Sequence, residues 1–153
     1  MEKHDKVNVN DMMRLIFLIV LSFEFAFANG FPGKEPDKEV KELFPGAINI
    51  KWFEGKEVYT AYFVPGEIVT RAFFDPKGDF KSIIRYYRSE HLPALILLRL
   101  NQYYPGLKVL GVTERSDLKE VTYFLKLEDE IHCYEIQSDA SGNLTELHKY
   151  VKG

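Results

Sequence analysis

The sequence has a single cysteine, Cys133, so an intrachain disulfide is impossible and stability has to come from packing. Positive charge is short as well. Lys and Arg total 20 against 23 Asp and Glu, a formal charge of −3, whereas a nucleic-acid surface needs a clustered positive excess. There is no Gly-rich phosphate loop, no Gly-x-Ser-x-Gly elbow and no Cys–His pairing, and the serines have no His–acid partner nearby. Of the histidines, His4, His91, His132 and His148, no two have the i, i+4 spacing and flanking acid of a zinc helix. His132 and His148 fall on separate strand-like runs and read as half-exposed strand residues. Asp75-Pro76-Lys77-Gly78 and Asp139-Ala140-Ser141-Gly142 lack the alternating oxygens and distal Glu of a calcium loop, and fit hairpin turns instead. Cys133, in mid-strand, reads as a small packed side chain. These absences point to a non-enzyme with no cofactor, no metal site and no catalytic residues.

Aromatic residues are plentiful, with 12 Phe and 9 Tyr, and they favour the half-buried surface of a pleated sheet. Long hydrophobic runs are not. Leu15–Leu21 is an apolar stretch after Arg14, cut short by Glu24 and followed by Ala26-Phe27-Ala28. A spanning helix needs roughly 20 apolar residues, so this is a secretory signal, residues 1–28, and not an anchor. Cleavage is expected between Ala28 and Asn29. The acids Glu2, Asp5 and Asp11 suit a signal start poorly, and translation from Met12 or Met13 would remove them. The mature product is expected in the periplasm or medium, with no membrane anchor.

Residues 29–35 read as a flexible lead-in, with Gly30, Pro32 and Gly33. Pro36 then opens a helix with Val40, Leu43 and Phe44 on one face, stopped by Pro45-Gly46. Strand-like runs follow at 47–53, 57–64, 68–74 and 80–88, separated by turn residues. Pro93 opens a second helix over 94–104, stopped by Pro105-Gly106, and strand-like runs recur at 107–114, 119–127, 131–138 and 144–151. Short breaks require antiparallel neighbours. Within 119–127, Val121, Tyr123, Leu125 and Leu127 should face the helix while Glu120, Thr122 and Lys126 meet water.

The halves align: Leu43-Phe44-Pro45-Gly46 with Tyr103-Tyr104-Pro105-Gly106, Thr60-Ala61-Tyr62-Phe63 with Val121-Thr122-Tyr123-Phe124, and Asp75-x-x-Gly78 with Asp139-x-x-Gly142. The expected fold is therefore α+β, a tandem repeat of two helix-plus-four-stranded antiparallel units, 36–88 and 89–153, with helices on one face and sheets that join or dock.

These motifs, with Ile50-Lys51-Trp52, Leu92-Pro93 and Leu110-Gly111-Val112-Thr113-Glu114, resemble the PepSY-like family of β-lactamase-inhibitor-like proteins, small exported proteins mainly of Bacteroidetes. The resemblance spans Pro36 to Lys152. It implies a tandem repeat forming one concave sheet, and a role in binding or inhibiting another extracytoplasmic protein. Inhibitors of this shape in actinobacteria carry two disulfides, which the single cysteine here forbids, and no contact residue carries over.

Tyr59 and Phe63 alternate with Tyr62 along one strand, so one of the two sets has to face outward; Trp52, Tyr59 and Phe63 are the candidate binding residues. Two functions remain: a binding protein that inhibits or modulates an extracytoplasmic partner, or a periplasmic carrier of a small ligand or cation. An open aromatic sheet marks the first and a closed apolar pocket the second. N-terminal sequencing of the exported protein should begin at Asn29; an intact chain confined to the cytoplasm would overturn the compartment.

Overall fold

The computed structural model describes residues 36–153, so the expected signal peptide and lead-in lie outside the described residues. Helix α1 spans Pro36–Leu43 and helix α2 spans Ala94–Tyr103. The strands are β1 Lys51–Glu54, β2 Tyr59–Phe63, β3 Val69–Phe74, β4 Phe80–Tyr87, β5 Lys108–Asp117, β6 Val121–Glu128, β7 His132–Asp139 and β8 Leu144–Val151. A short 3-10 turn, Ser89–His91, leads from β4 towards α2.

The expected tandem repeat of two four-stranded units is not what forms. All eight strands make one open antiparallel sheet in the order β1 to β8. Its decisive join is between β4 and β5, which pair from Ser82 with Asp117 to Tyr87 with Val112. The reason is backbone chemistry. Two separate sheets would each leave an inner edge of unpaired N–H and C=O groups, and pairing them satisfies both edges at once. The chain between β4 and β5 contains all of α2, so no tight turn announces that these strands are neighbours.

Local signals behave as the residues dictate. Pro36 starts α1, and Asp37 and Glu39 occupy its first turn, where the helix dipole favours acids. In the β3–β4 turn the Asp75 carboxylate accepts N–H bonds from Lys77 and Asp79 and an ion pair from Lys81. Its pKa is lowered to about 2, with the Lys81 contact the largest cause and the N–H bond from Asp79 next. The β7–β8 turn repeats the device, Asp139 accepting from Ser141 and Asn143. Gly142 there has a φ of 78°, and an added Cβ would lie 3.2 Å from the Arg99 side chain and 3.3 Å from that of Leu95. The turn is thus pressed against α2 at a point only glycine fits.

Both helices cover the same face. Val40 of α1 packs with Ala61, Phe63, Ala72, Phe74 and Ile83 of the sheet, with Phe44, Trp52, Tyr59 and Phe80 around them. Ile96 and Leu100 of α2 pack on Val112, Tyr123, Leu125, Leu127 and Ile136 of the sheet. On β6 the expected alternation holds: Tyr123, Leu125 and Leu127 are buried, and Lys126 is exposed.

Between these clusters, on the same face, runs a polar seam. The Tyr87 hydroxyl donates to one Glu114 oxygen at 2.6 Å, and Arg85 Nη1 donates to the other at 3.0 Å. Glu114 is buried, so both of its oxygens need donors. Burial, then the bond to Glu114, pushes the Tyr87 hydroxyl pKa well above its ordinary value, so it stays a proton donor.

Two predictions follow from this packing. Ile96→Ala should cost about 2–5 kcal/mol in denaturant melts, and Leu98→Ala, on the exposed side of α2, under about 0.5 kcal/mol. Tyr87→Phe, which leaves one Glu114 oxygen without a donor, should cost about 1–3 kcal/mol in the same measurement; no change would mean that the seam is solvated.

Candidate functional site: the uncovered face of the sheet

The sequence-predicted residues Trp52, Tyr59 and Phe63 are brought together, but under α1. Trp52 lies opposite Ala61, and Tyr59 opposite Phe74. Phe63 is 2% exposed, with its ring 5.5 Å from that of Phe44. The Trp52 indole N–H donates to Asp37 of α1 at 2.7 Å, and the Tyr59 hydroxyl to Glu54 at 3.1 Å. The first ties α1 to the sheet, and the second links β2 to β1. The set that faces outward on β2 is Thr60 and Tyr62. His132 and His148 lie on opposite faces: His132 is on the side of Tyr134, and His148 lies across from Glu135 and stacks on Tyr150.

No helix lies over the outer face among the described residues. Cross-strand partners share a face, so its composition can be read across the ladders. One row runs Tyr62, Arg71, Ile84, Arg115 and Thr122, and the next runs Val69, Tyr86, Thr113, Phe124 and Gln137. The Arg71 guanidinium sits over the Tyr86 ring, 5.8 Å from its centre, a cation–π contact.

Two bulges add to this surface. Leu110 is the extra residue between Val109 and Gly111, and Leu147 the extra residue opposite the step from Glu135 to Ile136. A bulge re-aims a side chain out of the regular alternation. Here Leu110 and Leu147 line, with Tyr86, Thr113, Phe124, Lys126 and Glu135, a depression of about 380 Å³. Tyr86, Leu110, Phe124 and Leu147 are 36%, 46%, 37% and 40% exposed. At its rim Lys126 Nζ approaches Glu135 at 3.6 Å, and burial together with Glu135 raises the pKa of the Tyr150 hydroxyl. Sequence reasoning missed Tyr86, Leu110, Phe124 and Leu147 as a group, because two of them owe their place to bulges that leave no mark in the residue pattern.

Among the described residues no group of His, Cys, Asp and Glu is placed to hold a metal, and no helix is long and apolar enough to cross a membrane. The outer face has the make-up of a contact surface: aromatic and aliphatic side chains half out of water, two arginines and one ion pair.

No family model and no curated protein matches this chain. Solved structures do. It is similar to a BLIP-like protein from Bacteroides fragilis, with a TM-score of 0.59 and 20% identity over 82% of this chain and 92% of that one. A DUF2874 family protein from Bacteroides ovatus matches with a TM-score of 0.58 and 18% identity, covering 81% and 89%. A candidate periplasmic protein from Bacteroides eggerthii matches with a TM-score of 0.57 and 19% identity, covering 80% and 90%. At these identities what is shared is the fold, over nearly the whole of the described chain.

Proposed function

We propose that this chain is an exported protein that acts by binding another extracytoplasmic protein through the uncovered face of its sheet. The observation that carries this reading is the asymmetry of the sheet. Both helices pack on one side, and the other exposes Tyr86, Leu110, Phe124 and Leu147 around a single depression. Exposed apolar groups gathered in one place, with arginine and tyrosine beside them, are typical of interface hot spots. Export is supported by the signal-like segment ending at Ala28, and by the candidate periplasmic protein and BLIP-like protein that share the fold. Inhibition or modulation of the partner is the role that the BLIP-like resemblance favours.

The test compares faces. Envelope extract is passed over the wild-type chain, a Tyr86→Ser/Phe124→Ser variant and a Leu98→Ser variant, Leu98 being exposed on α2. All three should melt within a few degrees of one another, because none of these side chains is core. The same protein should be retained by wild type and Leu98→Ser and lost by the double variant. Retention that survives the double variant, or is lost only with Leu98→Ser, overturns the reading.

A further inference from the structure

Charge is not spread evenly over the outer face. Across β1 to β5 one row of directly opposed residues runs Lys51, Tyr62, Arg71, Ile84 and Arg115. It holds three cations and no acid. The acids within these five strands are Glu54, Glu114 and Asp117, and the first two lie on the helix-covered face. Asp117 closes β5, where its carboxylate accepts N–H bonds from Lys119 and Glu120. Those bonds are the chief cause of its lowered pKa, and Arg115 contributes at longer range.

The cations of the same strands divide cleanly. Lys81 pairs with Asp75, Arg85 with Glu114 and Lys108 with Glu128. Lys51, Arg71 and Arg115 are all exposed and form no ion pair among the described residues. In a chain of net charge −3, three exposed cations in one row of the uncovered face, with Asp117 beside Arg115 as the one acid of these strands on that face, make a local excess of positive charge. Arginine, moreover, presents a planar fork that matches a carboxylate in a two-pronged contact, and Arg71 already sits over Tyr86.

We propose that the partner presents an acidic segment to this face, with its carboxylates on Arg71 and Arg115 and an apolar side chain in the depression between Leu110, Phe124 and Leu147. This rests on the open-face reading above and names the chemistry of what binds there. Arg71 on β3 and Arg115 on β5 flank Ile84 on β4, so their backbones are two strand spacings, about 10 Å, apart. About three residues of extended chain span that distance. Tyr62 lies next to Arg71 and Thr122 next to Arg115 along this row, neutral neighbours that neither repel a carboxylate nor compete for it.

Two labelled peptides test the proposal by fluorescence anisotropy against the full chain. One carries glutamates at alternate positions, which project from one side of an extended chain, followed by a phenylalanine; the other has lysines in place of the glutamates. The acidic peptide should bind at least about tenfold more tightly, and the advantage should shrink as salt is raised. Arg71→Gln/Arg115→Gln should weaken acidic-peptide binding by about tenfold or more. Lys38→Gln/Lys41→Gln removes the same charge from α1 and should change it by less than about twofold. Equal binding of the two peptides, or equal loss in the two double variants, overturns the acidic partner. So does an envelope protein that is lost with Tyr86→Ser/Phe124→Ser yet held by Arg71→Gln/Arg115→Gln; that result leaves the open-face reading standing.

Discussion

The ladder between β4 and β5 is the contact on which the rest of the molecule depends. It is six residue pairs long, and in an antiparallel ladder opposed residues project from the same side. Ile83 belongs to the cluster under α1, whereas Tyr87 and its partner Val112 belong to the cluster under α2. Once those strands pair, both helices are committed to one face of a single sheet. The cost appears at the join, where Arg85, Tyr87 and Glu114 meet between two apolar clusters and have to satisfy one another. A buried carboxylate with a donor on each oxygen is tolerated there, because what would be expensive is leaving either oxygen bare.

The same commitment leaves the other face without cover. An ordinary antiparallel sheet with one wet face alternates apolar inside with polar outside. Here the wet face departs from that pattern near its centre, carrying Tyr62, Ile84, Tyr86 and Phe124 on successive strands from β2 to β6 except β3 and β5, where Arg71 and Arg115 stand in the same band. The bulges at Leu110 and Leu147 then bring two leucines to it. Each bulge breaks a regular ladder, which gains nothing for the fold itself. Both nevertheless feed one depression on the open face.

Much of the local structure could be read directly from the residues. The Pro-Gly stops after both helices, the Asp-x-x-Gly hairpin turns and the antiparallel sense of neighbouring strands all rest on short-range chemistry: fixed φ at proline, positive φ at Gly78, Gly106 and Gly142, and aspartate accepting N–H bonds from the residues just beyond it. On β6 the alternation also named the buried side, because one face is wholly aliphatic and aromatic while the other carries Thr122, Lys126 and Glu128 beside Phe124.

On β2 it could not. Tyr59, Ala61 and Phe63 alternate with Thr60 and Tyr62, so both faces bear aromatics, and a period of two says that faces exist without saying which one is covered. Only the docking of α1, through Trp52 on Asp37 and Phe63 on Phe44, makes Tyr59 and Phe63 interior and Tyr62 exterior. The residues left open whether the two sheets join or dock, since nothing in β4 or β5 alone names a partner beyond an intervening helix. The sequence by itself determined elements, turns and the antiparallel sense, all set by neighbours a few residues apart. The tertiary structure alone decided that the two halves join through β4 and β5 and which face of that sheet stays open, because both depend on contacts between segments distant along the chain.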